Sequence, residues 1–257
     1  MSSALPQEPT PVVFLHGFFG TADDWDDVAW ELADDRPVAA VDLPGHEPAD
    51  EPLDEDEAAL PTDLVSAARA VGRHLDHLEL TRVDLVGYSL GGRIAAALAG
   101  DTPRRVRKLV LIGARLEPDP DPSRAQRDHD WAKRLREEGV AAFLDAWWQQ
   151  PLFDTLRAHP DLPTWRERRL RGRADRLAAV LEALTPARQP DLVPALAAAD
   201  LPVLLVAGEH DATYAQAAAA AATRLPRASV AIVPGAGHAP HLEAPDALAD
   251  TLRAFLA

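Results

Sequence analysis

The sequence contains no cysteine, and only two of its 26 basic residues, Lys108 and Lys133, are lysine. Lack of cysteine excludes disulfides, thiolate metal sites and a cysteine nucleophile, and it suits a reducing cytoplasm. The opening "MSSALPQEPTP" has neither the basic nor the apolar region of a signal peptide. No run approaches the roughly 18 strongly apolar residues of a membrane span, and the alanine tract 217–222 is too short and too weakly hydrophobic. A basic excess is missing too. With 41 acids against 26 bases the formal net charge is −15, which disfavours nucleic acid and anionic membranes as partners. "GYSLGGR" lacks the spacing and the Lys-Ser/Thr of a phosphate loop, and no H-E-x-x-H occurs. A soluble, cytoplasmic protein without metal or cofactor is expected. Acid excess with little lysine fits a salt-adapted interior, although GC-rich coding would also enrich Ala, Asp, Arg and Pro.

What is present is ordinary globular composition: 257 residues, 47% apolar and 26% charged. That suffices for one large domain or for a domain carrying an insertion. Short apolar runs at 12–15, 38–42, 83–86, 109–112, 203–207 and 230–233 read as buried strands. Helical spacing fills 25–33, 64–78, 90–99, 215–225 and 245–256. Such alternation predicts a parallel sheet covered by helices on both faces. Between 114 and 201 the rhythm breaks, leaving helical patterns at 131–148 and 166–184. The reading is an α/β core of 1–114 and 201–257 with a helical lid, 115–200, inserted before the last strands. The acidic, proline-rich stretch 47–62 reads as a solvated loop. Its run Asp54-Glu55-Asp56-Glu57 lacks the ligand spacing of a calcium loop.

The chemistry gathers at Gly87-Tyr88-Ser89-Leu90-Gly91, a G-x-S-x-G pattern set between a strand and a helix. In that context the glycines permit a sharp turn that exposes the serine. The Leu90 amide, opening the helix, can then meet an oxygen that gains negative charge. A nucleophilic serine needs a base, and the base an orienting acid. Asp211 follows one late strand in "GEHDATY" and His238 follows the next in "PGAGHAPHLE", where open parallel sheets place their ligands. Glu209 competes with Asp211; His210 and His241 compete with His238. The loop after the first strand, "FLHGFFG", offers the Phe18 amide as a second oxyanion donor, with His16 as a structural or pocket-lining residue.

Charge is unevenly spread. Residues 115–176 hold 13 bases against 12 acids, and 166–176 hold six arginines against Glu167 and Asp175. A near-neutral lid over an acidic core brings arginine to the site. Arg93, in the first turn after Ser89, is the cation nearest the expected pocket floor. Arg124, Arg127 and Arg169 are candidates above it. A guanidinium fork suits carboxylate, so the pocket reads as built for an anion.

The strings "VVFLHGFFG", "VDLPGH", "LVGYSLGGR", "AFLDAWWQQPLF", "QPDL", "GEHDATY" and "GAGHAPHLE" together resemble the 2-succinyl-6-hydroxy-2,4-cyclohexadiene-1-carboxylate (SHCHC) synthases of menaquinone biosynthesis, enzymes of the α/β-hydrolase fold. The resemblance runs from Val12 to the C-terminus. It implies a cofactor-free carbon–oxygen lyase that eliminates pyruvate from 2-succinyl-5-enolpyruvyl-6-hydroxy-3-cyclohexene-1-carboxylate. Ser89, Asp211 and His238 would form its triad, Ser89 abstracting the proton. The amides of Phe18 and Leu90 would stabilise charge developing on a substrate carboxylate. Arg93, Arg124 and Arg169 would bind the carboxylates of a small anionic substrate, and Tyr88 and Trp147 would line the pocket. Arg127 stays open as an alternative to Arg124, and Arg168 and Arg171 as alternatives to Arg169. A carboxylester or C–C bond serine hydrolase would use the same triad.

Overall fold

The computed structural model describes residues 9–53 and 59–257; the run Asp54-Glu55-Asp56-Glu57 lies outside the described residues. Six strands form one parallel sheet: β1 (Val12–Leu15), β2 (Val38–Val41), β3 (Val83–Tyr88), β4 (Val106–Ile112), β5 (Val203–Gly208) and β6 (Ala228–Val233). Their spatial order is β2-β1-β3-β4-β5-β6. The helices are α1 (Asp26–Leu32), α2 (Leu64–His77), α3 (Leu90–Asp101), α4 (Arg124–Trp147), α5 (Asp154–Arg157), α6 (Leu162–Leu170), α7 (Ala174–Ala183), α8 (Val193–Ala199), α9 (Ala212–Ala222), α10 (Pro240–Glu243) and α11 (Pro245–Leu256).

The alternating pleat divides the strand side chains between two cores. Val13, Leu15, Leu85, Leu109, Leu111 and Leu205 pack with α2, α3, α8 and α9. Val12, Phe14, Val86, Val110, Ile112 and Val206 face α1, α11 and part of the helical segment between β4 and β5. Strands sealed on both faces need nearly continuous apolar sequence, which is why these runs lack polar alternation.

Several boundaries differ from those expected. β3 extends to Tyr88 because Gly87 and Tyr88 continue the ladder onto Leu111 and Ile112. β4 starts at Val106, since Arg107 and Lys108 interrupt the apolar run yet keep partners: Arg107 Nε donates to Asp84 at 2.8 Å and Lys108 Nζ to the Phe255 carbonyl at 2.8 Å. The helix expected over 166–184 is two helices, α6 and α7, parted at Gly172, which forms a lone β-bridge with Pro48. α4 begins at Arg124 rather than 131 and is kinked at Gly139 (φ 79°, ψ 174°). α9 begins at Ala212 because Asp211 caps it, its Oδ1 accepting from the Tyr214 amide at 3.2 Å.

Topology locates the site. From β1 the chain moves to one side to build β2, then returns to the other side for β3. Loops leaving β1 and β3 therefore diverge, opening a crevice at the carboxyl ends of the strands. The loops after β4, β5 and β6 finish at the same edge.

Candidate active site

Close packing fixes the shape of the turn at Ser89. A Cβ on Gly87 would lie 2.4 Å from the Gly91 carbonyl oxygen, and one on Gly91 would lie 2.4 Å from that of His16. Only glycine fits at either place. Between them Ser89 is held at φ 50°, ψ −111°, a conformation that costs a non-glycine residue about 1–3 kcal/mol. Two backbone bonds hold it there: Ser89 N–H donates to Ile112 O at 2.8 Å, and Ser89 O accepts from Arg93 N–H at 3.1 Å. Ser89 consequently lines the crevice.

His238 lines the same cavity, on the loop after β6, and its Nδ1 lies 2.6 Å from Asp211 Oδ2 on the loop after β5. Both are buried. Tyr214 and Tyr88 flank the imidazole, with ring centroids 4.5 and 5.2 Å away. The competing histidines stand elsewhere. His210 is exposed, and His241 is buried between Trp25 and Tyr88 with no hydrogen-bond partner for either ring nitrogen among the described residues. Glu209 is exposed and accepts from the Gly235 amide. His16 uses both nitrogens on backbone, Nδ1 at 2.8 Å from Gly17 O and Nε2 accepting from Leu43 N–H at 2.9 Å. Burial pushes its pKa down to about 4.

Phe18 and Leu90 both line the pocket, and neither amide donates to a protein acceptor among the described residues. Leu90 is the first residue of α3, so its N–H is free by position. Phe19 beside Phe18 has φ 64°, and its N–H is tied to His46 Nε2 at 3.1 Å. Trp147 lines the wall, with its ring 5.4 Å from that of Phe18 and stacked on Phe143.

Four arginines line this cavity: Arg93, Arg115, Arg124 and Arg169. Arg93 is 7% exposed. Its Nε donates to Gln189 Oε1 and its Nη2 to the Leu184 carbonyl at 2.7 Å, while Nη1 has no acceptor among the described residues. No carboxylate pairs with it there. Burial pushes its pKa down to about 10, so it stays charged at neutral pH. Arg124, by contrast, donates to both Asp128 oxygens at 3.0 Å and to Asp119 at 3.3 Å. Arg169 forks onto Asp24 at 3.1 and 2.6 Å. Arg127 sits outside on Asp121, Arg168 on Asp26, and Arg171 on Asp50 and Glu51. The arginine density at 166–176 thus mostly clamps this segment to acids of the core. Arg176 on Glu47 fits the same pattern, whereas Arg166 pairs with Asp145 of α4 within the helical segment.

Sequence reasoning missed Arg115, Tyr214, Asp24 and Gln189. Asp24 sits in "TADDWDD", indistinguishable there from a helix-capping acid, and Arg115 stands alone on a loop. Tyr214, in the first turn after Asp211, had a positional signal within "GEHDATY". Gln189 belongs to the quoted "QPDL", and its Nε2 donates to the carbonyls of Arg115 and Glu117 at 3.1 and 2.8 Å. Among the described residues no cluster of His, Asp or Glu could hold a metal ion, and no helix is long and apolar enough to cross a membrane.

The α/β-hydrolase-fold family model matches residues 10–245. The chain is 36% identical over 252 residues to a 2-succinyl-6-hydroxy-2,4-cyclohexadiene-1-carboxylate synthase of Enterobacter sp. (strain 638), spanning 95% of this chain and 91% of that one. A protein of Bacillus subtilis (strain 168) bearing the same name as putative is 32% identical, with 98% and 92% coverage. Among solved structures, MenH from S. aureus matches with a TM-score of 0.87 at 26% identity, over 99% of this chain and 96% of that one. A thermophilic esterase from Thermogutta terrifontis, solved with malate bound, matches at 0.83 and 26% identity, over 97% and 90%. The chain belongs to the SHCHC synthase family within the α/β-hydrolase fold.

Proposed function

We propose that the protein is a lyase of menaquinone biosynthesis, converting 2-succinyl-5-enolpyruvyl-6-hydroxy-3-cyclohexene-1-carboxylate to SHCHC and pyruvate. The observation that carries this reading is Arg93: a buried, charged guanidinium in the cavity that Ser89 also lines, with no carboxylate partner among the described residues. An uncompensated buried charge costs several kcal/mol. The cost is recovered when a ligand brings the anion, each charge-assisted bond contributing about 1.5–3 kcal/mol. A neutral substrate leaves it unrecovered.

In this mechanism Asp211 accepts a hydrogen bond from His238 Nδ1–H, which leaves Nε2 as the base. Ser89 passes its hydroxyl proton to that nitrogen while taking the ring C2 proton of the substrate. This proton is acidic because C2 carries the succinyl ketone. Charge therefore collects on the ketone oxygen rather than on a carboxylate, and the Phe18 and Leu90 amides are the donors available to it. As the electrons flow back, the pair from the broken C2–H bond forms C2=C3, the C3=C4 pair moves to C4=C5, and the C5–O bond breaks. The leaving enolate takes a proton at its methylene carbon, supplied from His238, and becomes pyruvate. No water nucleophile enters.

Arg93 binds one carboxylate directly. Arg124 and Arg169 already carry Asp128, Asp119 and Asp24, so they present polar edges more than net charge. Tyr88 and Trp147 supply apolar walls, and the segment 115–200 serves as the lid of a core made of 1–114 and 201–257.

A serine hydrolase would need the same triad but no arginine on the pocket floor. The test compares Arg93→Ala on the substrate above and on a neutral nitrophenyl ester. A loss of about 100-fold or more in kcat/KM confined to the anionic substrate is expected. Equal loss on both, or no loss on either, would contradict the lyase reading.

A further inference from the structure

We propose that Arg115 and the Tyr214 hydroxyl form a second carboxylate subsite, next to that of Arg93, which binds a substrate carboxylate remote from the reacting carbon. The inference deepens the reading of the substrate as a polycarboxylate and rests on it. Arg115 lines the cavity from the loop after β4, and its guanidinium makes no hydrogen bond or ion pair with protein among the described residues. That sets it apart from Arg124 and Arg169, which reach the same cavity with carboxylates already attached.

Position adds to this. Gln189 joins the two uncompensated arginines: its Oε1 accepts from Arg93 Nε, and its Nε2 donates to the Arg115 carbonyl at 3.1 Å. One amide therefore fixes the Arg93 side chain and the Arg115 backbone together. Tyr214 lines the same cavity as Arg93 and Arg115, and while burial pushes its hydroxyl pKa up, the positive charges of Arg124, Arg93 and Arg115 oppose that rise. That hydroxyl has no partner among the described residues. Its ring packs on that of His238, with centroids 4.5 Å apart.

Charge accounting favours the same conclusion. The proposed substrate carries three carboxylates, whereas Arg93 is the sole cation assigned so far without a protein carboxylate. Arg115 supplies a second. A phenol beside a guanidinium offers a carboxylate two donors of different kinds, which selects a carboxylate of fixed position over a neutral group.

The experiment measures KM and kcat on the substrate for wild type, Arg115→Gln, Arg115→Lys and Tyr214→Phe. In parallel, calorimetry measures binding of propane-1,2,3-tricarboxylate and of butyrate to the same proteins. Arg115→Gln is expected to raise KM and the tricarboxylate Kd by roughly 10- to 100-fold, with the loss falling mainly on KM. Arg115→Lys should recover part of it, Tyr214→Phe should lose several-fold, and butyrate affinity should barely change. Unchanged tricarboxylate affinity and KM in Arg115→Gln would overturn the subsite while leaving the lyase reading intact. If wild type releases no pyruvate, the lyase reading fails, and the tricarboxylate arm alone then decides for or against the subsite.

Discussion

His238 Nδ1 and Asp211 Oδ2 lie 2.6 Å apart, joining the loops that follow the last two strands of the sheet. The same carboxylate caps α9 through its other oxygen, which accepts from the Tyr214 amide. One aspartate thus anchors both a helix and an imidazole. Asp211→Asn keeps a capping oxygen but reverses the donor pattern facing His238. It should lower kcat by about 10⁴ while shifting stability by less than about 1 kcal/mol. Pyruvate release and a thermal melt on one preparation check both. Near wild-type turnover would show that His238 needs no orienting acid.

Gly113 gives a second handle on His238. It has φ 55°, and a Cβ there would lie 2.9 Å from His238 Cε1. Gly113→Ala should cost about 1–2 kcal/mol for the left-handed backbone and displace the imidazole from Ser89. Turnover should fall far more than stability does. Crystallography of the variant with His238 unmoved and activity intact would contradict this.

Acid should unfold the protein through histidines that take no part in the chemistry. Burial pushes His16 down to about 4, and His46 and His241 down to about 3. Around His241, Asp24 favours its protonation, whereas Arg169, His238 and His16 oppose it. The folded state therefore binds fewer protons than the unfolded chain, whose histidines titrate near 6.5. Stability is intact above about pH 6.5 and falls as pH drops towards 4, by up to about 1.4 kcal/mol per pH unit for each histidine. Urea midpoints at several pH values read the slope. His241→Phe, set between the rings of Trp25 and Tyr88, should remove about one proton from it. Parallel slopes in variant and wild type would refute this.

The acid excess makes a prediction about salt. A net charge of −15 repels itself in the folded state, and molar KCl screens that repulsion. Exposed ion pairs lose little on screening, being worth about 0.2–1 kcal/mol each. The melting temperature should rise with KCl. Full thermal stability in salt-free buffer would remove the case for salt adaptation.

Local signals made the parallel sheet and the turn at Ser89 legible. Apolar runs mark strands closed on both faces, and a glycine-flanked serine between strand and helix has a steric reason visible in the pentapeptide. Long-range electrostatics was not legible. Nothing near Arg169 shows that its partner is Asp24, 145 residues away, nor that Arg168 and Arg171 point to other acids. The break at Gly172 was hidden because the apolar spacing continues across it. Arg115 carried no signal, since being unpaired is a property of the folded surroundings alone.

The most direct test of the account is a time course with purified protein and 2-succinyl-5-enolpyruvyl-6-hydroxy-3-cyclohexene-1-carboxylate, following pyruvate and the cyclohexadiene product together. The account predicts their release in equal amounts, well above the spontaneous rate, and a fall to near that rate in Ser89→Ala. Pyruvate at the spontaneous rate with the wild-type protein, or Ser89→Ala as active as wild type, would contradict it.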